Sequence, residues 1–288
     1  MPELPEVEVV KRSLLKRVKN SIIKKVKVND SKLRYKISKN EIKTIIGKKV
    51  KKVTRRSKFL IFEFDQKILM LVHLGMTGKF FYINKKQKFK TSFYYDLNDK
   101  DHKHDRVIFF LSKNKKLIYN DTRKFGFIRF YNLTNIKNIP HIKRLGPEPL
   151  NQNFNFNYFK TYILNRNLNI KNILMDQKFV SGLGNIYVNE ILFYSCIKPN
   201  RKVKKLNDTD IRKIITNTKK ILKSAIDRGG SSIRDFSSEN GKKGSFQEHL
   251  KVYGRIGLSC SNSDCKKIIK KMVISNRSTF YCPSCQKY

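Results

Sequence analysis

The first apolar positions of the chain recur at helical spacing. Within residues 5–19, PEVEVVKRSLLKRVK, four apolar side chains share one face of a helix: Val7, Val10, Leu14 and Val18. Pro5 suits a first helical turn, because the N–H that it lacks has no helical partner there. Glu6 and Glu8 suit the same start, since acidic side chains complement the positive end of the helix dipole. The pattern predicts an opening amphipathic helix.

Between residues 22 and 132 the apolar residues form short β-branched and aromatic runs that are separated by polar turns. The runs are IIKKVKV, KFLIFEF, KILMLVHL, GKFFYI, DRVIFFL, KLIYND and FGFIRFYN. Consecutive runs of this kind are typical of a β-sandwich or a β-barrel. We therefore expect an N-terminal β domain over residues 1–132 that begins with the helix.

Helical periodicity returns in the second half of the chain, in NYFKTYILNR, NIKNILMD, NIYVNEILFYS and DTDIRKIITNTKKILKSAIDR. Residues 133–153, which contain NIPHIKRLGPEPL, are predicted to be a linker or hinge before a helical domain over residues 154–250. The Gly- and Ser-rich stretch 229–245 is predicted to be a mobile loop within that domain. Residues 251–288 form a third, smaller domain, and the fold class is α+β.

The charge of the chain favours a polyanionic partner. It has 64 Lys and Arg against 22 Asp and Glu, a formal net charge of +42. Such an excess destabilises a compact state by self-repulsion unless a polyanion relieves it, which makes nucleic acid the leading partner. Codon bias is the alternative, because the chain is also rich in Asn and Ile; it would inflate the charge without reversing its sign.

Targeting signals and membrane spans are not evident. No stretch approaches the roughly 18 to 20 apolar residues that cross a bilayer, and the N-terminus lacks the basic-then-apolar order of a signal peptide. We expect a soluble, cytoplasmic protein. In a reducing cytosol its five cysteines are expected to be metal ligands or free thiols rather than disulfides.

Four of the cysteines have the spacing of a zinc site. Cys260 and Cys265 are separated by four residues, and after sixteen more residues come Cys282 and Cys285, which are separated by two. Two such pairs joined by a hairpin-sized spacer predict one tetrahedral four-thiolate Zn²⁺ site, which is structural because it is closed. The spacer carries five Lys and Arg, as a phosphate-binding finger would, although a ribosomal or transcription-related zinc ribbon has the same features. Cys196 is expected to be a small core residue.

The N-terminus itself is a candidate nucleophile. Removal of Met1 would expose Pro2 as a secondary amine, and an α-amino group titrates near neutrality, at about 7.7–8.0. Such an amine can attack a sugar carbon and form a Schiff base. Glu3 and Glu6 would be near enough to transfer protons. Helix capping is the alternative explanation of these acids.

The segment MPELPEVE resembles the N-terminus of formamidopyrimidine-DNA glycosylases, bacterial enzymes that excise oxidised purines. Further motifs similar to this family follow in its order: RRSKFL, HLGMTGKF, NDTRKFG, LGPEPL, ILMD, GLGNIYVNE, DRGG, VYGR and RSTFYCPSCQ. The resemblance implies an N-terminal β-sandwich with an opening helix, a helical domain with a helix–two-turn–helix, and a C-terminal zinc-finger β-hairpin, with DNA in the cleft between the halves. It also implies a monomer that acts on double-stranded DNA containing oxidised purines.

The same resemblance implies catalytic roles for five residues. Pro2 would attack C1′ and displace the damaged base, and Glu3 would protonate the sugar ring oxygen. Glu6 would support proton transfers. Lys58 would bind phosphate and take part in strand cleavage by β,δ-elimination, and Arg277 would grip a phosphate beside the lesion.

DNA-binding roles are implied as well. A base must leave the duplex to be excised, and Met76, Arg123 and Phe125 match the residues that fill the gap, although Met76 and Phe125 could instead belong to the sandwich core. Glu190 and the loop 229–245 match the region that holds the flipped base. Four residues match positions that bind the DNA backbone: His104, Arg166, Lys171 and Asn185.

Two residues depart from the family pattern, and two alternative functions are compatible with parts of the sequence. Lys124 stands where the family usually has Arg, and Arg106 stands where a histidine is expected, which leaves lesion preference open. An endonuclease VIII-type glycosylase for oxidised pyrimidines is one alternative, but its chains usually begin PEGPE. A non-catalytic DNA-binding relative is another, and it would be expected to lack Pro2, Glu3 or Lys58.

Overall fold

The computed structural model describes residues 2–84, 87–90, 101–132, 136–231 and 245–287. The chain divides into two compact units, Met1–Lys143 with Arg228–Gln247 and Arg144–Asp227 with Glu248–Tyr288. Most of the predicted mobile loop, residues 232–244, and the first residues of the predicted linker, 133–135, lie outside the described residues. The predicted domain boundaries stay predictions.

The five longer helices begin and end close to the predicted segments, whereas the short helices α2 and α3 were not predicted. Their bounds are Leu4–Val18 (α1), Lys39–Lys43 (α2), Pro140–Lys143 (α3), Phe156–Ile163 (α4), Ile170–Met175 (α5), Asn185–Tyr194 (α6) and Asp208–Asp227 (α7). Short 3₁₀ turns occur at His102–His104, Ile136–Asn138, Val203–Lys205 and Phe246–His249.

Antiparallel strands make up the rest of the regular structure. Their bounds are Ile23–Val28 (β1), Val50–Arg56 (β2), Phe59–Phe64 (β3), Ile68–His73 (β4), Lys79–Asn84 (β5), Gln87–Lys90 (β6), Asp105–Leu111 (β7), Lys115–Asn120 (β8), Phe127–Asn132 (β9), Lys270–Ile274 (β10) and Arg277–Tyr281 (β11). The strand order is β1-β7-β8-β5-β6 in one sheet, β2-β3-β4-β9 in a second and β10-β11 in a third.

The first unit is the predicted β-sandwich. Its core joins the apolar faces of the two larger sheets, as the ring contact of Phe62 in β3 with Phe80 in β5 shows, with centroids 5.8 Å apart. From Val107 to the end of β7 every second residue is buried, Val107, Phe109 and Leu111, which is the period of a strand with one face on a core. The helix α1 packs against β2, and its four predicted apolar residues belong to the same core and are all at most 1% exposed.

The second unit is helical around an aromatic core. Phe154, Phe159 and Phe179 are fully buried and contact one another edge-on or tilted. The turns between α5 and α6 are held by Gln177, which donates to the carbonyls of Met175 and Leu183. This α5–turn–turn–α6 arrangement is the predicted helix–two-turn–helix, and β10 and β11 form the C-terminal hairpin. The expectation that Cys196 is a core residue is wrong, because Cys196 follows the C-cap of α6 and is exposed.

The strand β2 was not predicted. Its sequence, VKKVTRR, has little apolar periodicity, and the buried Val50 and Val53 are out of phase because the register shifts between Val50 and Lys52. A bulge of this kind breaks the two-residue repeat on which the prediction rests. Pairing with the strongly apolar β3 makes this segment a strand.

Candidate active site and zinc centre

The first residues of the chain are buried and hydrogen-bonded rather than frayed. Glu3 is the N-cap of α1, is 3% exposed, and forms a capping box with Glu6. Within it, the Glu3 backbone N–H donates to Glu6 Oε2 at 2.8 Å. Pro2, directly before this cap, is also buried. Helix capping therefore involves Glu3 as well as Glu6, and it fixes the backbone to which Pro2 is attached.

A segment distant in sequence reaches the same carboxylate. Ser231 donates from its backbone N–H and its hydroxyl to Glu6 Oε1, at 2.9 and 3.1 Å. Gly230 has a φ of +84°, and a Cβ at this position would lie 3.0 Å from Glu6 Oε1. Glycine suits both the left-handed backbone and the close approach. Glu6 thus binds the start of the predicted loop 229–245.

Glu8 binds cations rather than first-turn amides. It accepts from Lys11 at 2.7 Å, from Arg12 at 3.1 Å and from Arg55 at 2.9 Å. Burial acts to raise the pKa of Glu8, but the hydrogen bonds and charges of Lys11 and Arg55 outweigh it and hold this pKa below its ordinary value.

Arg55 links this carboxylate to the turn that carries Lys58. While its Nε contacts Glu8, its Nη1 donates to the Ser57 carbonyl at 2.8 Å. Ser57 and Lys58 connect β2 to β3 and are 2% and 7% exposed. The Glu8–Arg55 pair therefore ties α1, which follows Pro2 and Glu3, to the backbone beside Lys58.

Met76 and Phe125 are exposed. Met76 lies in the β4–β5 loop (residues 74–78) and is 42% exposed, and Phe125 lies in the β8–β9 loop (residues 121–126) and is 47% exposed. The interpretation of these two residues as sandwich core is therefore wrong. The guanidinium of Arg123 lies over the Phe125 ring, 4.6 Å from its centroid.

His104 is supported by a buried arginine. Arg106, 7% exposed, has Nη2 3.1 Å from His104 Nδ1, which assigns Nδ1 as the acceptor. Arg106 also contacts Asp30 at 3.2 Å, and Asp30 pairs with Lys124 at 2.5 Å. The two residues that depart from the family pattern are thus linked through one aspartate.

His73 is a partly buried, uncharged histidine directly before the β4–β5 loop. Its ring stacks on Phe127, and its Nδ1 accepts from the backbone N–H of Gly75 at 3.0 Å. Burial, and then the positive charge of Lys58, lower the pKa of His73 to about 4. Sequence analysis did not select this residue, since histidine within an apolar strand carries no distinctive spacing.

In the second unit, Arg277 lies at the tip of the zinc-finger hairpin. Ile274 pairs with Arg277, so the connecting residues are Ser275 and Asn276, whose φ values are +49° and +58°. Two left-handed residues between paired strands form a type I′ hairpin turn. The turn leaves Arg277 exposed as the first residue of β11.

The hairpin is anchored to α5 and α6 by polar side chains. Lys171, 1% exposed, donates from Nζ to Thr279 Oγ1 at 2.6 Å and to the Ser278 carbonyl at 3.3 Å. Asn185, the first residue of α6, donates to the same carbonyl at 2.9 Å. Asn189 accepts from the Phe280 N–H at 2.8 Å. Lys171 and Asn185 thus hold the strand that begins with Arg277.

Glu190 binds backbone amides. Its carboxylate accepts from the N–H groups of Lys251, Val252 and Tyr253 at 2.8 to 3.0 Å. Burial raises the pKa of Glu190, and the three amides offset part of that rise. The base-pocket role expected for Glu190 stays a prediction. Arg166 is exposed, and its guanidinium lies 4.3 Å from the Tyr162 ring centroid.

The four predicted zinc ligands come together. The ligand atoms of Cys260, Cys265, Cys282 and Cys285 lie within 4.8 Å of one another. Cys260 Sγ is 3.7 Å from Cys285 Sγ, and Cys265 Sγ is 3.6 Å from Cys282 Sγ. Tetrahedral Zn–S bonds of ~2.3 Å place sulfur atoms ~3.8 Å apart, so the four thiols fit one structural zinc ion. Zinc would supply the fold of the finger, with no open position for chemistry.

Comparison with known families decides the assignment. Three profiles match in order: the formamidopyrimidine-DNA glycosylase N-terminal domain over residues 1–128, the formamidopyrimidine-DNA glycosylase H2TH domain over 145–237, and the zinc finger found in FPG and IleRS over 264–287. A formamidopyrimidine-DNA glycosylase of Rickettsia bellii is 40% identical over 287 residues, with 100% of each chain covered. The chain belongs to the formamidopyrimidine-DNA glycosylase family. The relative from Roseobacter denitrificans is 37% identical, again over 100% of both chains.

Solved structures of this family share the fold of the whole chain. The Lactococcus lactis Fpg in complex with abasic-site DNA has a TM-score of 0.86 and 32% identity, and covers 99% of this chain and 100% of its own. A mutant of the same protein bound to Fapy-dG DNA has the same TM-score at 33% identity, with full coverage of both chains. Within the described residues, no helix combines the length and apolar character needed to span a bilayer.

Proposed function

We propose that the chain is a base-excision repair enzyme that removes 8-oxoguanine and formamidopyrimidines from DNA and then cleaves the abasic strand by β,δ-elimination. The observation that carries this proposal is the placement of Pro2 directly before the buried Glu3–Glu6 capping box. The family relatives bound to DNA with an abasic site or Fapy-dG support the choice of substrate.

The reaction begins with Pro2 after removal of Met1. The proline nitrogen forms a bond to C1′ while the bond from C1′ to the damaged base breaks, and the base leaves with the proton that the proline nitrogen gives up. Glu3 then protonates the ring oxygen O4′, the C1′–O4′ bond breaks, and the nitrogen lone pair forms the Schiff base between Pro2 and C1′. Glu6 holds this geometry, because its carboxylate is hydrogen-bonded to the Glu3 amide and to Ser231.

The remaining residues bind DNA and assist elimination. Lys58 and Arg277 bind phosphates, and Arg277 suits this because it is exposed at a hairpin tip. Met76 and Phe125 replace lost stacking and Arg123 contacts the orphaned base, while Glu190 shapes the base pocket. Four further residues contribute to binding of the sugar-phosphate backbone, either by contacting it or by positioning a neighbouring residue that does: His104, Arg166, Lys171 and Asn185.

The protein works as a monomer in the bacterial cytoplasm. Relatives along its full length are bacterial. Sedimentation of the protein with and without DNA tests the oligomeric state.

Borohydride trapping tests the proposed reaction. The mature protein, with Met1 loss verified by intact mass, is incubated with duplex DNA containing 8-oxoguanine opposite cytosine. Sodium borohydride is expected to reduce the Schiff base to a stable covalent adduct. Pro2→Gly should abolish most trapping while lesion-DNA binding persists, because the change removes the cyclic amine and not the binding surface.

Each outcome of the trapping experiment identifies a function. Faster trapping on oxidised-pyrimidine DNA than on 8-oxoguanine DNA would favour the endonuclease VIII-type alternative. Selective binding of damaged DNA without an adduct, in a preparation with free Pro2, would show a non-catalytic binding protein and overturn the proposal.

A further inference from the structure

The three residues assigned to filling the gap lie on two separate loops. Met76 belongs to the β4–β5 loop, and Arg123 and Phe125 belong to the β8–β9 loop, almost fifty residues later in the chain. A wedge that replaces stacking works only if its parts keep their relative positions, since small displacements of positioned groups are costly. What holds the two loops together therefore bears on how the wedge enters DNA.

A buried carboxylate lies between the loops. Asp121, 0% exposed, accepts from the Thr77 hydroxyl at 2.5 Å on Oδ1, and from the Gly126 N–H at 2.9 Å on Oδ2. The Tyr119 hydroxyl also lies 3.4 Å from Oδ2. Asp121 thus receives one donor from the β4–β5 loop and another from the far end of its own loop.

Thr77 completes the connection. Its hydroxyl donates to Asp121 and accepts from the backbone N–H of Arg123 at 3.0 Å. One hydroxyl between Met76 and Gly78 therefore fixes the backbone of Arg123. Because a hydroxyl has both a proton and lone pairs, it satisfies the carboxylate and the amide together.

The backbones of the two loops are in direct contact at glycines. A Cβ on Gly75, which has a φ of +62°, would lie 2.4 Å from the Gly126 nitrogen. A Cβ on Gly126 would lie 2.7 Å from the backbone carbonyl oxygen of His73, the last residue before the β4–β5 loop. The loops therefore approach as closely as backbone permits, and the Asp121 carboxylate supplies the hydrogen bonds at this junction.

We propose that Asp121 is a positioning residue that, through Thr77, holds Met76, Arg123 and Phe125 in one rigid wedge for insertion into the duplex. The proposal rests on the proposed function for the role of the wedge itself. The charge of Asp121 matters, because an ionised carboxylate accepts from every donor that faces it, whereas an amide would turn its own N–H groups toward one of them.

A fluorescence experiment tests the wedge without requiring catalysis. The full chain binds duplex DNA that contains a tetrahydrofuran abasic analogue with 2-aminopurine stacked beside the unpaired position. Insertion unstacks the 2-aminopurine and raises its emission in the unaltered protein. Thr77→Val, which keeps the shape and removes the hydroxyl, should lose most of the rise at saturating protein concentration. Thr77→Ser, which keeps the hydroxyl, should retain it.

Activity measurements separate positioning from general destabilisation. Loss of the Thr77 hydrogen bonds should slow 8-oxoguanine excision about tenfold, and it should lower the preference for cytosine opposite the lesion. Borohydride trapping on a preformed abasic site should change less than about twofold, because the step needs no base extrusion. Asp121→Asn should show the same pattern, and if that variant fails to fold, the Thr77 pair decides.

Several outcomes would overturn the proposal. They are a full fluorescence rise with Thr77→Val, a parallel loss of excision and abasic-site trapping, or a loss with Thr77→Ser equal to that with Thr77→Val. Absence of a rise in the unaltered protein would also overturn it. If the unaltered protein binds and raises fluorescence but never forms an adduct, the proposed reaction fails while the positioning proposal stands.

Discussion

At the scale of single residues, partial burial and a neighbouring positive charge decide the charge state of His73. His73 is uncharged because the aromatic surroundings and the charge of Lys58 disfavour its protonated form. Its Nδ1 accepts a hydrogen bond from the backbone N–H of Gly75. If the ring became charged, Nδ1 would carry a proton and could no longer accept this hydrogen bond. The neutral form therefore supports the start of the β4–β5 loop, and protonation would disturb both the core and the loop.

The pKa of His73 predicts a pH dependence of stability. The folded pKa is about 4, below the ordinary 6.5, so between these values the unfolded chain binds a proton that the folded chain does not. The stabilisation is therefore fully present above pH ~6.5 and is lost as the pH falls toward ~4. Between about pH 7.5 and about pH 5 this one group lowers the free energy of unfolding by about 2 kcal/mol.

Urea unfolding of the unaltered protein and of His73→Asn at these two pH values measures the effect. The variant does not titrate, and its amide oxygen can stand near the position of Nδ1. The loss of stability on acidification should be smaller in the variant by about 2 kcal/mol. Equal losses in both proteins would show that His73 is not responsible.

At the scale of elements, the zinc-finger hairpin is held from two sides. The four cysteine thiols gather at its base, and Lys171, Asn185 and Asn189 bind β11 from α5 and α6. The type I′ turn at Ser275 and Asn276 then leaves Arg277 at the exposed tip. The buried ammonium of Lys171 on α5 would be costly without hydrogen bonds, and its bonds to Ser278 and Thr279 fix the orientation of β11.

This anchoring predicts that Lys171 acts on DNA binding through Arg277. Lys171→Met removes the ammonium that binds Thr279 and should weaken lesion-DNA affinity about tenfold, the effect of a lost charged hydrogen bond. Arg277→Ala should weaken it as well, and the double variant should be no weaker than Arg277→Ala alone. Fluorescence anisotropy with abasic-analogue DNA measures all three.

The exposed Lys270 on β10 is the matched control for this cycle. Lys270→Met removes a charge from the same hairpin without touching Thr279, and its effect should add to that of Arg277→Ala. Additivity of Lys171→Met with Arg277→Ala would show that Lys171 contacts DNA independently.

At the scale of the whole molecule, the charge of +42 makes association with DNA dependent on salt. Phosphate contacts release condensed counterions, so the logarithm of the binding constant falls linearly with the logarithm of the salt concentration. The slope of this plot reports how many phosphates the protein neutralises. It therefore distinguishes Lys and Arg residues that contact DNA from those that codon bias has added elsewhere on the surface.

The slope of binding against salt is therefore expected to be steep and to respond to chosen residues. Arg277→Ala should reduce its magnitude by about 1, the value for one phosphate contact. Lys25 lies at an exposed position of β1. If this lysine reflects codon bias and does not contact DNA, Lys25→Ala should leave the slope unchanged. Equal reductions by both variants would indicate a diffuse electrostatic footprint, and a slope near zero would contradict a phosphate-binding surface.

The sequence alone determined what depends on local pattern. The opening helix, seven of the sandwich strands, the longer helices and the four zinc ligands were predictable because apolar periodicity and ligand spacing are read along the chain. The family was identifiable from motifs such as MPELPEVE and GLGNIYVNE, although most of the residue roles that they imply stay predictions.

Tertiary structure alone decided what depends on partners distant in the chain. It showed that Met76 and Phe125 are exposed, that β2 pairs despite its basic sequence, and that Ser231 binds Glu6, 225 residues away. Asp121 has an ordinary setting in the sequence NDTRKFG and becomes a junction of two loops only when the sheets are formed. The physical reason is that burial and hydrogen-bond partners are created by packing, and no local repeat encodes which distant donor will face a given carboxylate.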